Sequence, residues 1–394
     1  MSDWQELERK YFMYTGDRVP LTIVKGEGAR VWDDKGRKYL DFVAGWAVDS
    51  LGHCHPVLVE ALAKQANTLI QTSNQFYTVP QLQLAEILVN NSCLDKVYFC
   101  NSGAEANEGA VKLARRYGSL KLNGAYEVIT AMNSFHGRTL AMTAATGQEK
   151  FQNSYVPLPV GFKNVAYDNI EAIKEATTEQ TCAIMLELIE AEGGVIIPES
   201  KYLTDVRAWC DQKGILLILD EVQTGIGRTG TLFGYEQCGI EPDIMTLAKG
   251  LGSGVPIGAI MAKGEASVFV PGNHGSTFGG NPLACAAGYA VVKYIIDNNI
   301  TENVKKAGNY FLDGLTGLKQ KYDVVIDVRG RGLLAAVEFN NDIAKSVLTA
   351  CLDEGLLINQ LKPNALRFMP PLIITNGDID EALGILDKVI SNLE

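Results

Sequence analysis

Residues 215–230, ILLILDEVQTGIGRTG, constrain this chain more than any other stretch. Residues 215–219 form an unbroken run of bulky apolar side chains, and two carboxylates, Asp220 and Glu221, follow directly. A short apolar run bounded by turn residues reads as a strand buried on both faces, the kind found in parallel sheets covered by helices. The acids then stand at the carboxyl end of that strand, where open α/β sheets bind ligands. Residues 243–254, DIMTLAKGLGSG, repeat the arrangement: 244–247 are strand-like and Lys249 stands just past their end. Two neighbouring strands are therefore expected to bring an acid and an amine to one crevice. From Val97 to Ala262 such strands alternate with helical stretches, at 97–100, 127–131, 183–187, 215–219, 244–247 and 259–261. That alternation predicts a largely parallel sheet.

The chain has 394 residues, enough for two domains at roughly 150 residues each. A net charge of −11 argues against nucleic acid as the main partner, so any bound anion must find its positive groups locally. The eight cysteines contain no CxxC pair and read as reduced thiols of a cytoplasmic protein. The first residues, MSDWQELERKYF, are too polar for a signal peptide, and no apolar run reaches the roughly 18 residues of a membrane span. Residues 1–10 read as a helical lead-in, and 21–42 as short strands with a hairpin turn at Asp34-Lys35-Gly36. After Asn281-Pro282 a long helix is expected over 283–298. Beyond it come a helix at 302–322, strands at 327–329 and 334–339, a helix at 343–354, a strand at 357–358 and a last helix from Asp378. His53 and His55 have no third ligand nearby and Pro56 opens a helix, so a structural role is expected and no metal.

The segment NSGAEANE, residues 101–108, opens a helix after the first strand of the alternating series. Ser102 and Glu105 have capping-box spacing, and the helix is expected to run to Tyr117 and stop at Gly118. Lys112, Arg115 and Arg116 lie toward its C-terminal end, where the helix dipole favours cations. Gly103 lets an anion approach the free N–H groups of the helix start. Alone this is an ordinary capped helix. Beside an acid and a lysine at strand ends, it suits pyridoxal phosphate, where an acid holds the ring nitrogen protonated and a lysine carries the aldehyde as a Schiff base. The competing motif is Gly225-x-Gly227-x-x-Gly230, which spells a dinucleotide fingerprint. Its context is wrong: five residues, 220–224, separate the strand from the first glycine, and no acid follows about 20 positions on. A nicotinamide oxidoreductase is rejected on that ground. A non-catalytic binding protein would leave Lys249 and Asp220 idle.

LDEVQTGIGRTG followed by LAKG resembles the signature of the class III pyridoxal-phosphate aminotransferases, and the likeness runs from about Arg18 to the C-terminal helix. Within the class it is most similar to the acetylornithine aminotransferases. The resemblance implies a fold-type I α/β architecture, with a mostly parallel seven-stranded sheet between helices and a smaller α+β domain built from both termini. It divides the chain into an N-terminal segment at 1–50, a large cofactor domain at 51–295 and a C-terminal small domain at 296–394. Lys249 and Asp220 become the catalytic pair. Gly103 and Ala104, the latter in place of the usual threonine, hold phosphate. Thr277 in GSTFGGNP reaches the cofactor of a partner subunit, which makes the protein a homodimer, and Ser276 lies near substrate. Phe135 in FHGRT stacks on the ring, Val222 covers its other face, Gln223 bonds the ring hydroxyl oxygen and Glu221 supports the site. Arg138 pairs with the substrate α-carboxylate, a planar fork on a planar anion.

The family's EPxQGEGG reads ELIEAEGG here, with Leu188, Glu190 and Ala191 as departures. Glu192 keeps the position of a switch glutamate that pairs with Arg367, and Glu190 is expected to offer Arg367 a second carboxylate. Trp46, in AGWAVDSLGHCHP, replaces a small aliphatic and is expected to reshape the pocket. The implied reaction moves the terminal amine of N2-acetylornithine to 2-oxoglutarate, giving N-acetylglutamate 5-semialdehyde and glutamate in arginine biosynthesis. Ornithine, succinylornithine, 4-aminobutyrate and acetyl-lysine-type donors are the alternatives within the class. The partners are then small amino and oxo acids, with no nucleic acid and no membrane.

Overall fold

A computed structural model describes residues 3–393 of the chain. A helix, Asp3–Tyr11, leads in; Met1 and Ser2 of the expected helix lie outside the described residues. Three antiparallel strands follow, β1 (Ile23–Glu27), β2 (Arg30–Asp33) and β3 (Lys38–Asp41). The turn between β2 and β3 is held by Asp33, whose Oδ1 accepts the N–H groups of Lys35 and Arg37, with Gly36 at φ 80°.

The central sheet has seven strands: β4 (Lys96–Cys100), β5 (Glu127–Ala131), β6 (Phe162–Val165), β7 (Thr181–Glu187), β8 (Leu216–Asp220), β9 (Ile244–Leu247) and β10 (Gly258–Ala262). Their spatial order is β4-β10-β9-β8-β7-β5-β6, and β10 alone runs against its neighbours. Every residue of β7, β8, β9 and β10 is buried, which is why their sequences are continuous apolar runs. The expected strands all fall on these elements, with Ile215 alone lying outside, just ahead of β8. β6 was not expected; at the sheet edge FKNV is half-buried throughout and carries no apolar run.

The helix that opens after β4 spans Gly103–Lys121 and passes through Gly118 rather than stopping there. A Cβ on Gly118 would stand 2.0 Å from the Ala125 carbonyl oxygen, so this glycine serves a close approach inside the helix. Helix Pro282–Asp297 follows the sheet, with Asn281 accepting the Ala284 N–H as its cap.

The C-terminal part adds β11 (Val325–Arg331), β12 (Leu334–Phe339), β13 (Leu356–Leu357), β14 (Asn359–Lys362) and β15 (Ala365–Phe368). Four of them form a sheet in the order β11-β12-β15-β14, while β13 pairs in parallel with β3 and completes the N-terminal sheet. β14 and β15 are further strands beyond those expected. Phe311, on helix Ile300–Lys321, packs edge-on against Phe42 and Phe368, each at 5.4 Å, tying the N-terminal segment to β15. Arg228 ties the loop after β8 to the same region. It is fully buried, donates through Nη1 to the carbonyls of Leu333 and Pro370, and burial pushes its pKa down to about 9. The architecture is α/β, a mostly parallel seven-stranded sheet between helices plus a separate smaller sheet.

Candidate active site

Strand register brings three side chains together at the carboxyl ends of β7, β8 and β9. Glu187 pairs with Asp220, and Asp220 with Thr246. Asp220 is 4% exposed, so its carboxylate must be satisfied by protein. Asn107 Nδ2 donates to Asp220 Oδ2 at 2.7 Å, and His136 Nδ1 lies 2.8 Å from the same oxygen. Thr246 Oγ1 in turn donates to Asn107 Oδ1 at 2.6 Å, fixing the amide's orientation. Val222 N–H donates to Asp220 Oδ1. Burial works against a charged imidazole, but the bond to Asp220 and its charge push the His136 pKa up on balance. Glu187 is pushed up by burial, although its Oε2 accepts the Phe135 N–H.

Lys249 follows β9 with φ 42°, a left-handed conformation that costs a non-glycine residue about 1–3 kcal/mol and is typical of functional positions. Its amine makes no hydrogen bond or ion pair among the described residues, and removal from water lowers its pKa. Asp220 and Lys249 face one cavity of about 440 Å³. Gly103, Ala104, Phe135, Arg138, Val222 and Gln223 also line it.

The residues fit pyridoxal phosphate on the geometry. Ser102 Oγ accepts the Glu105 N–H, which leaves the N–H groups of Gly103 and Ala104 without intrahelical partners at the cavity wall. Glu105 reaches past the expected capping-box partner, and its Oε2 accepts from Asn101 instead. A Cβ on Gly103 would stand 2.9 Å from the Val222 side chain, so the helix start and Val222 can close on the cavity only around a glycine. A buried acid, an unpaired amine of lowered pKa and a helix N-terminus therefore share one cavity large enough for a substituted pyridine.

Of the other expected residues, Glu192, Arg367, Ser276 and Thr277 are not among those lining the cavity, and two more are exceptions to the contacts expected of them. Arg138 lines the cavity, and Glu192 pairs with Arg367 at 2.7 Å. Arg367 is 1% exposed and donates as well to Ala191 O, Asn359 Oδ1 and Gln223 Oε1. Burial raises the pKa of Glu192, but Arg367 more than offsets this and holds it low. Ser276 Oγ accepts from Asn101, which lines the cavity, while Thr277 is exposed and outside the cavity of its own chain. Glu221 is the first exception. Its two oxygens accept the N–H groups of Gly234 and Tyr235, away from the cavity. Glu190 is the second. It is 2% exposed and is not a partner of Arg367; the charged groups that act with it are Lys362 and Glu187, and the neutral hydroxyls of Tyr167 and Tyr202 lie in the same surroundings. Trp46 lies in a left-handed turn, where Ala44, Gly45, Trp46 and Ala47 all have φ between 47° and 63°. Asp41 anchors that turn by accepting the N–H groups of Val43 and Ala44, and His53 bonds the other oxygen of Asp41 at 2.8 Å. The turn delivers Val48 to the cavity wall.

His136, Asn107, Thr246 and Glu187 were missed as site residues by the sequence reading. Asn107 stands one helical turn after Gly103, a spacing that could have flagged it.

A family model described as "Aminotransferase class-III" matches residues 11–390. An acetylornithine aminotransferase of Caldanaerobacter subterraneus subsp. tengcongensis is 56% identical over 387 residues, 98% of this chain and 98% of that protein. One of Methanocaldococcus jannaschii is 50% identical over 397 residues, 100% and 99% of the two chains. Among solved structures, the ornithine aminotransferase of Toxoplasma gondii ME49 superposes with a TM-score of 0.96 at 35% identity, covering 99% of this chain and 95% of that one. The N-acetylornithine aminotransferase of Stenotrophomonas maltophilia K279a has a TM-score of 0.85 at 37% identity and 98% coverage of both.

Proposed function

The chain belongs to the class-III aminotransferases, and on that premise we propose that it moves the terminal amine of N2-acetylornithine to 2-oxoglutarate, a step of arginine biosynthesis. The observation that carries this reading is the unpaired Lys249 amine beside the buried Asp220 carboxylate, at the ends of β9 and β8 on one cavity. The substrate is supported by relatives that share half or more of their residues with this chain over nearly its full length and are named for acetylornithine.

Pyridoxal phosphate, when bound, supplies a ring that accepts electrons from a substrate carbon. Lys249 would hold its aldehyde carbon through Nζ. The Lys249 amine, kept a base by its lowered pKa and kept near by its own backbone, would take the proton from the donor carbon that bears the reacting amine. Asp220, fixed through Oδ2 by His136 and Asn107, would hold the proton of the ring nitrogen. Phe135 and Val222, which line the cavity, would pack on the ring, Gln223 would bond its hydroxyl oxygen, and the N–H groups of Gly103 and Ala104 would take the phosphate. Thr277 would reach the phosphate of a second copy, which makes a homodimer the working unit in this reading. Arg138 takes the distant carboxylate of acetylornithine while Glu192 neutralises Arg367. Among the described residues no helix is long and apolar enough to cross a membrane, and the reading places the enzyme in the cytoplasm.

The test is a donor panel on the holoenzyme with 2-oxoglutarate as acceptor: N2-acetylornithine, ornithine, succinylornithine, 4-aminobutyrate and N-acetyl-lysine. N2-acetylornithine is expected to give the highest kcat/KM. A higher value for ornithine, which one of the similar solved structures is named for, would overturn the substrate. Lys249→Ala should remove turnover with every donor while leaving the thermal midpoint of the cofactor-free protein unchanged. Wild-type turnover in that variant would overturn the site.

A further inference from the structure

Among the described residues the guanidinium of Arg138 has no hydrogen-bond or ion-pair partner; aromatic rings hold it instead. It lies 3.8 Å from the centroid of Phe151 and 5.5 Å from that of Phe135. Phe135 and Phe151 meet edge to face at 6.2 Å, so the ring expected on the cofactor and the ring under the cation brace each other. Phe151 is itself firmly placed. It sits on the short helix Glu149–Gln152, whose last residue donates through Nε2 to Thr146 O at 2.8 Å and to Asn164 Oδ1 at 3.1 Å. On the other side, Thr139 Oγ1 donates to Glu108 Oε1 at 2.6 Å and pins the chain next to Arg138.

We propose that Phe151 is a positioning residue for substrate: its face holds the Arg138 guanidinium so that the edge N–H groups stay free for the carboxylate of the donor. The inference rests on the proposed role of Arg138. Stacking occupies the face of a guanidinium and leaves its in-plane donors open, and a planar carboxylate is bound by those donors. An exposed arginine without a platform samples many rotamers and must be ordered anew when substrate binds; a cation held over an aromatic face is ordered beforehand. Lys150 Nζ stands 4.8 Å from the same ring, so a second positive charge shares that ring with Arg138.

The experiment compares Phe151→Leu, Phe151→Tyr, Arg138→Ala and the double variant Phe151→Leu/Arg138→Ala as holoenzymes. Two quantities are read: steady-state kinetics with N2-acetylornithine, and calorimetric affinity for N-acetylnorvaline, which keeps the acyl group and carboxylate but has no amine to react. Phe151→Leu should raise KM and the N-acetylnorvaline Kd about three- to fivefold, the scale of a cation–π contact at an exposed site, with kcat unchanged. Phe151→Tyr keeps the ring face and should restore both. In the double variant, Phe151→Leu should add nothing to Arg138→Ala, because the platform acts only through the cation it holds. A fall in kcat with KM unchanged, or losses that add in the double variant, overturns the inference and leaves Arg138 as the clamp. If Arg138→Ala itself binds N-acetylnorvaline as wild type does, the role of Arg138 fails first and takes the inference with it.

Discussion

Arg367 and Arg138 carry the same group in opposite surroundings. Arg367 is buried against four oxygen acceptors, Glu192 among them, whereas Arg138 is exposed and bonded to none among the described residues. The difference suits two donors of unlike shape. With acetylornithine the terminal amine reacts, the carboxylate is distant, and Arg367 can stay neutralised by Glu192. Glutamate reacts at its α-amine, so its α-carboxylate arrives beside the reacting carbon and needs a cation there. Release of Glu192 frees Arg367 for it, while Arg138 takes the side-chain carboxylate. Glu190 does not compete for Arg367, because it points into a different buried cluster. Arg367→Ala should therefore slow the glutamate half-reaction by about 2–4 kcal/mol more than the acetylornithine half-reaction, the scale of a lost charge-assisted pair. Stopped-flow measurement of each half-reaction separately reads the difference; equal losses would mean that Arg367 serves the fold and not the switch.

At the level of elements, the strand ends that carry the chemistry were legible where burial on both faces left an apolar run. β8 and β9 announce themselves; Asp220 is the last residue of the first and Lys249 stands two residues past the second. β6 and β14 were silent, because half-buried strands such as FKNV and NQLK contain the polar residues that turns and loops also use. Gly118 read as a helix stop because the close approach of Ala125 is a tertiary fact. His136, Asn107 and Thr246 act through Asp220, and their meeting depends on strand register between segments far apart in sequence. Glu190 was legible as a departure but its environment was not. It follows β7 with Oε1 unpartnered and buried, and burial pushes its pKa from 4.5 up to about 8 against the pull of Lys362. A carboxyl whose folded pKa is raised binds its proton more tightly when folded. Its contribution is present below about pH 4.5 and is lost as pH rises from there through about 8. Glu190→Gln, which never ionises, should therefore gain stability over wild type between pH 6 and pH 9, by roughly 1–3 kcal/mol at the upper end. Thermal midpoints at the two pH values measure it in a Glu187→Gln background, because the Glu190 charge also raises Glu187; Glu221 titrates in both proteins and cancels in the difference. A gap that does not widen with pH would show that Glu190 holds no proton in this range.

The whole molecule exposes 17910 Å², whereas a monomeric protein of 42.8 kDa exposes roughly 15,000 Å². The excess is of the size that an obligate dimer buries. It includes a patch of large apolar side chains, Phe76, Tyr77, Val79 and Phe278, with Tyr77 94% exposed. The patch is one surface because its two loops are bonded together: Gln71 Nε2 donates to Thr277 O, and Asn74 Nδ2 donates to the carbonyls of Ser276 and Gly279. Thr277 therefore sits in the apolar patch and off the cavity of its own chain, the position expected of a residue that serves a second copy. Two consequences can be measured. The protein should sediment at about twice 42.8 kDa. Lys249→Ala and Thr277→Asp should each be inactive alone, the first for want of its amine and the second by repelling phosphate. Unfolded together in equal amounts and refolded, they should regain activity in the mixed dimers. One of the two sites there combines an intact Lys249 with an intact Thr277 from the other chain, so about a quarter of all sites are whole. If Thr277 served its own chain, no mixture could assemble a complete site, and refolded mixtures would stay as inactive as either variant.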